Sequence, residues 1–204
     1  MTKSTYQPRR SSQHISRKVV QSIFRAFDFT SARGRAFNLY VVVNLTESAH
    51  AGAAAQFEAI RHKYRDWLSY HRHKGSGDLR PVYTFAFEAP DGHHHVNWPL
   101  YIPPDLHDEF RRKLAQWVRK VCAAHGPYDL HCQLITGQHK ALAKYLMKGV
   151  DPAFVGHFHL GKVHAPQGTF VGKRAGMSPS LSKAARDAAG YDAKRRIIRE
   201  PLGG

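Results

Sequence analysis

Two groups of side chains in this sequence have the types and spacing of a reaction centre. The first is Glu88, followed after Ala89-Pro90-Asp91-Gly92 by His93-His94-His95-Val96-Asn97. Side chains two apart on a strand share a face at about 6.6 Å spacing, so His93, His95 and Asn97 line one face while His94 and Val96 take the other. Two imidazoles, or an imidazole and an amide, joined by the Glu88 carboxylate across the turn make a mixed nitrogen and oxygen site. Such a site suits a divalent metal, Mg²⁺ or Mn²⁺, that polarises a phosphate oxygen. The second group is Tyr145-Leu146-Met147-Lys148, with Lys144 beside it. Three apart on a helix, Tyr145 and Lys148 share a face. A phenol with a pKa near ~10 becomes a nucleophile only where a cation or metal favours its phenolate, and Lys148 is placed to do that or to neutralise a phosphate. Taken singly, each group also has a plain reading: a surface histidine cluster without metal, and a tyrosine that only packs its ring.

The elements that would position these groups are legible in outline. Asn38 to Thr46 is β-branched and apolar, a buried central strand. Phe57, Ile60, Tyr64, Trp67 and Leu68 line one face of a helix over residues 53–70, closed by the polar stretch His71 to Arg80. Val82 to Glu88 and His94 to Ile102 form a hairpin about the Ala89 to Gly92 turn. Asp105 caps a second long helix with Leu106, Phe110, Leu114, Trp117, Val118 and Val121 on its apolar face. Tyr128 to Ile135 is a fourth strand, Gln138 to Lys148 a short helix stopped by Gly149 and Asp151-Pro152, and Phe154 to Leu160 a candidate fifth strand. The order β-α-β-β-α-β-α-β predicts an α+β fold: a central antiparallel sheet of about five strands with flanking helices, of the split βαβ kind.

Composition points to a polyanionic partner. The 204 residues carry 31 Lys plus Arg against 15 Asp plus Glu, a net +16 before any of the 15 histidines is charged. Residues 1–30 hold six basic and one acidic side chain, and residues 162–204 nine and three. The charge therefore divides the chain into a basic N-terminal arm (1–30), a core domain (31–161) and a basic C-terminal tail (162–204) with a short helix from Leu181 to Ala189. No apolar run approaches the ~20 residues that span a bilayer, and no signal-like segment opens the chain, so a membrane partner is not expected. Cys122 and Cys132 form no CxxC pattern, which fits a reducing, cytoplasmic setting.

Together and in this order, the motifs resemble those of the HUH endonuclease superfamily, in the single-tyrosine branch of rolling-circle replication initiators (Rep). That family carries an apolar strand ending in a Thr-like residue, a His-hydrophobic-His strand that binds metal, and a helix with Tyr-x-x-Lys. The corresponding segments here are Leu39 to Thr46, His93 to Trp98, and Tyr145 to Lys148, so the resemblance spans about residues 37–150. It implies a site-specific DNA nicking-closing enzyme in which Tyr145 attacks the scissile phosphate with assistance from Lys148. Glu88 and the strand donors would hold the metal. His95-Val96-Asn97 is the favoured pair, since the apolar Trp98 to Pro103 then follows as the strand continuation, with an amide standing for the second histidine; His93 with His95 stays open. The resemblance further implies single-stranded or hairpin DNA as substrate, a 5′-phosphotyrosine intermediate, a small plasmid or phage-like element as setting, and a host helicase and polymerase as partners. No Walker motif is present that would supply unwinding.

Other features compete for these roles. His157-Phe158-His159 is a literal His-hydrophobic-His triplet, but it lacks an obvious carboxylate partner and reads as a late strand or loop near DNA. Lys144, Lys173 and Arg174 are candidate DNA contacts, the last two in the Gly-flanked segment Gly172-Lys173-Arg174-Ala175-Gly176. A non-catalytic module binding single-stranded nucleic acid, and an HUH-type transposase, are the rival functions. The first is weakened by the absence of an RNA-recognition signature.

Overall fold

The computed structural model describes residues 11–45, 52–75, 78–122, 126 and 128–198. Thr46, at the end of the first predicted strand, lies outside them, as do the first ten and last six residues.

Five strands form one antiparallel sheet: β1 (Leu39–Asn44), β2 (Thr84–Glu88), β3 (His95–Leu100), β4 (Leu130–Leu134) and β5 (Ala175–Met177), in spatial order β4-β1-β3-β2-β5. Among the described residues, five α-helices accompany it: α1 (Arg17–Ala32), α2 (Ala53–His73), α3 (His107–Val121), α4 (His139–Leu146) and α5 (Lys183–Ala188). Strands β1 and β2, joined through α2, both run antiparallel to β3, which lies between them. This is the split βαβ arrangement expected from the element order.

Period-two alternation divides the sheet into two faces. Leu39, Val41 and Val43 of β1, Phe85 and Phe87 of β2, and Val96, Trp98 and Leu100 of β3 pack against Phe57, Ile60 and Tyr64 of α2 and Phe110, Leu114 and Val118 of α3. Tyr40 and Ala86 face the other way, toward α1 and α4, where Val20, Ile23, Phe27, Ala143, Leu146 and Met147 are buried. Pro99 sits inside a central strand, where a missing N–H is usually costly. Here the β2–β3 pairing runs over Ala86 to Glu88 and resumes only as a bridge at Tyr83, so Pro99 falls in the gap.

Several boundaries differ from the sequence reading. The segment assigned to a basic arm contains α1, whose buried Val20, Ile23 and Phe27 recur at helical spacing. The helix closes on Gly34 at φ 65, with Gly34 N–H bonded to Ser31 O and Arg35 N–H to Thr30 O, a pairing that needs a left-handed residue. Asp105 lies in a 3₁₀ turn, Pro104–Leu106, rather than capping α3. The fifth strand is not Phe154 to Leu160, which forms a 3₁₀ turn and further turns, but β5 from the segment assigned to the tail. The predicted Leu181 to Ala189 helix is shorter, as α5. Among the described residues no helix is long and apolar enough to cross a membrane.

Candidate active site

The β2–β3 register sets Glu88 opposite His95 and Ala86 opposite Asn97, all on the face covered by α1 and α4. Glu88 is only 3% exposed, so its charge requires partners within the fold. It has two. His95 Nε2 lies 2.8 Å and Lys148 Nζ 2.9 Å from Glu88 Oε2. Burial alone would push the Glu88 pKa up, but hydrogen bonds from His95 and Lys148 and the attraction of Lys148 outweigh it and hold the carboxyl below its usual range. Burial would likewise lower the Lys148 pKa, yet contacts with Glu88 and Tyr145 raise it. The pair is therefore ionised at neutral pH.

Tyr145 occupies the last turn of α4, and Lys148 follows two residues after the helix ends at Leu146. The predicted shared helical face is thus completed by a turn, in which Lys148 N–H bonds Tyr145 O at 3.1 Å. Lys148 Nζ stands 4.0 Å from the centroid of the Tyr145 ring, close enough for a cation–π contact. Tyr145 is 42% exposed, a large aromatic left open beside a buried ion pair. The backbone holding Lys148 is pinned: its carbonyl accepts from Ala165 N–H at 3.2 Å and from His164 Nδ1 at 2.9 Å. Downstream, Gly168 at φ 64 packs directly on Ala89, where an added Cβ would come within 1.9 Å of Ala89 O. That close approach sets the segment after α4 against the end of β2.

Asn97 is 1% exposed, and its Oδ1 accepts the Tyr40 hydroxyl. Burial, then the charges of Tyr145 and Glu88, push the Tyr40 pKa well up, so Tyr40 remains a protonated donor. Tyr40 was not singled out from the sequence. Its signal was available, because it alternates with the buried Leu39 and Val41 and so faces the same side as Asn97.

His93 precedes β3 and lines a polar cleft that it shares with His95, Asn44, His94 and Asp129. The other sequence-derived residues fall elsewhere. Lys144 Nζ donates to His159 O at 3.3 Å, on the far flank of α4. Lys173 is exposed in a cleft between α1 and β5. Arg174, expected to bind DNA, is instead 4% exposed. It donates to the carbonyls of Ser12, Gln167, Gly168 and Phe87, so its guanidinium ties three segments together and is not open to a phosphate. The His157-Phe158-His159 triplet lies in turns beside α1 and α4.

Among the described residues no group of three or more His, Cys, Asp or Glu side chains is arranged to hold a metal, so Glu88, His93 and His95 do not form one. The donors that could contribute to a divalent-ion site are Glu88, whose Oε1 is buried without a hydrogen-bond partner, the His95 imidazole, now bonded to Glu88 Oε2, and the Asn97 amide oxygen, now accepting the Tyr40 hydroxyl. Mg²⁺ commonly takes one or two protein carboxylates and fills its remaining positions with water and substrate phosphate. No protein-family model matches the chain, and no curated protein matches it significantly.

Proposed function

We propose that this chain is a metal-dependent, sequence-guided single-stranded DNA endonuclease and strand transferase of the Rep type, acting through a 5′-phosphotyrosine to initiate rolling-circle replication. One observation carries the reading. An exposed tyrosine from a late helix stands beside a lysine that is ion-paired to the carboxylate of an earlier hairpin, next to a histidine and an amide. Each of those residues also stands out in the sequence by its type and position.

In this mechanism the Tyr145 oxygen would attack the phosphorus in line with the departing 3′-oxygen, the phenol proton passing to water and the 3′-oxygen leaving as a hydroxyl protonated from water, while the ammonium of Lys148 would stabilise the charge growing on the phosphate. Bond exchange between a phosphodiester and a phosphotyrosine needs no external energy source, so the free 3′-hydroxyl can later reverse the step and reseal the strand. Glu88, His95 and Asn97 would hold a divalent ion, which would supply polarisation of a non-bridging oxygen. Tyr40 holds the Asn97 amide oxygen in one orientation. The excess of basic side chains supplies attraction for the single strand or for a hairpin near the nick. Host helicase and polymerase would open the duplex and extend the 3′ end.

The rival binding module needs aromatic side chains presented on an open sheet face, whereas Phe85, Phe87 and Trp98 are buried beneath α2 and α3. The test is incubation with end-labelled single-stranded oligonucleotides and Mg²⁺ or Mn²⁺, resolved under denaturing conditions. The expected result is cleavage with DNA retained on the protein. Cleavage that runs equally well in EDTA, or binding without cleavage of any origin-derived strand, refutes it.

A further inference from the structure

The flank of α4 that points away from Glu88 borders a second concavity, of about 420 Å³, closed by α1 and by the loop that carries His157-Phe158-His159. That volume lies within the roughly 300–1,000 Å³ typical of small-molecule pockets. Its wall is aromatic: Phe24 of α1 meets Phe158 edge to face, with ring centroids 5.6 Å apart. Its rim is cationic, with Lys140, Lys144 and Arg196, and its one carboxylate, Asp28, faces Arg196 Nε at 3.4 Å. Lys144 spends one donor on His159 O, which leaves two N–H groups for another acceptor. His159 itself holds a left-handed backbone at φ 53, a conformation uncommon for a side chain with a Cβ.

Lys140 and Lys144 are one helical turn, about 6 Å, apart on α4, the helix whose last turn carries Tyr145. A strand gripped by its phosphates on these two lysines would run between the tyrosine and the mouth of the aromatic cavity. We infer that this cavity is a base-reading site, which takes one unpaired nucleobase next to the cleaved phosphate. The base would lie against Phe158 and Phe24, with its phosphate on Lys140 and Lys144. Asp28, neutralised by Arg196, is the acceptor there for an exocyclic amino group. A carboxylate favours bases that carry such a donor, so thymine is the least favoured occupant. The inference rests on the single-stranded DNA reading above and adds the residues that select the base.

The test uses full-length protein and a 15-nucleotide oligo-dT with 2-aminopurine at its centre, whose fluorescence is quenched when the base stacks on an aromatic ring. On saturation with wild-type protein or with Tyr145→Phe, quenching is expected beyond that of the free oligonucleotide. Phe158→Ala should relieve the quenching and weaken binding about five- to 150-fold, the range for loss of one base–aromatic stack. Lys140→Ala should weaken binding and flatten its salt dependence while the quenching at saturation stays. Phe158→Ala protein that melts like wild type and still quenches fully overturns the inference. An oligonucleotide that forms the covalent adduct yet is indifferent to Phe158→Ala rejects the base site alone. Quenching that depends on Phe158 without any adduct keeps the base site and rejects the endonuclease.

Discussion

Lys148→Met removes one of the two partners of a carboxylate that is otherwise sealed in the fold. The side chains of Glu88 and Lys148 are 4% and 13% exposed and 2.9 Å apart. At an effective dielectric of ~20 their attraction is about 6 kcal/mol, offset by several kcal/mol of desolvation for each ion. Deleting one partner of a buried pair typically costs about 3–5 kcal/mol, because the other charge stays behind uncompensated. His95 still bonds Glu88 Oε2, so the expected loss is near the lower end, about 3 kcal/mol. In a domain of this size that lowers Tm by roughly 6–12 °C. Urea denaturation at pH 7 in EDTA measures it without interference from metal. Glu88→Gln combined with Lys148→Met should recover about 2 kcal/mol of the single-variant loss, since no unpaired charge remains. The pH profile has two limbs. Glu88 is held below its ordinary pKa, so its contribution is present above about pH 4.3 and is lost as pH falls through the folded value. Lys148 is raised, so its contribution is present below about pH 10.4 and is lost as pH rises through its folded value. A Lys148→Met cost under ~1 kcal/mol, or single costs that simply add in the double variant, would refute the reasoning.

Gly168→Ala should be strongly destabilising, by at least about 3 kcal/mol, since it combines a positive φ with a direct clash on Ala89 O; a wild-type melting curve would contradict the packing described between the segment after α4 and β2. Arg174→Ala should cost stability on a similar scale, whereas Lys173→Ala should leave Tm near its wild-type value. If Lys173 contacts DNA, its removal lowers the salt slope of single-strand binding by about 0.7, measured by titration at several ionic strengths. His95→Ala should abolish stimulation of cleavage by Mn²⁺ or Mg²⁺ while leaving strand binding in place, read from cleavage rates against metal concentration.

Strong local patterns carried most of the fold into view. The β-branched run of β1, the hairpin turn, and the apolar stripes of α2 and α3 identify their elements because each buries a face wide enough to leave a period. Alternation along β3 also puts His95 and Asn97 on the face that Glu88 shares. The same rule puts His93 there; that residue precedes β3 and lines a cleft together with His95. Helix α1 is masked in the sequence because Arg17, Lys18 and Arg25 give its segment the character of a basic arm, although Val20, Ile23 and Phe27 carry the helical period. Strand β5 is three residues, Ala-Gly-Met, with no β-branched side chain. Its place at the sheet edge depends on tertiary contacts, namely Gly176 against the Phe85 ring and the Arg174 ties. Basic character misled at Arg174 for a related reason: a guanidinium satisfied by carbonyls is indistinguishable in sequence from one awaiting a phosphate.

The claim that Tyr145 is the nucleophile is tested most directly by isolating the protein–DNA adduct, digesting it, and locating the nucleotide-bearing peptide by mass spectrometry. The account places the phosphoryl group on Tyr145 and expects no adduct from Tyr145→Phe protein that still binds the strand. DNA attached to another side chain, Tyr40 included, or an adduct undiminished in Tyr145→Phe, would contradict it.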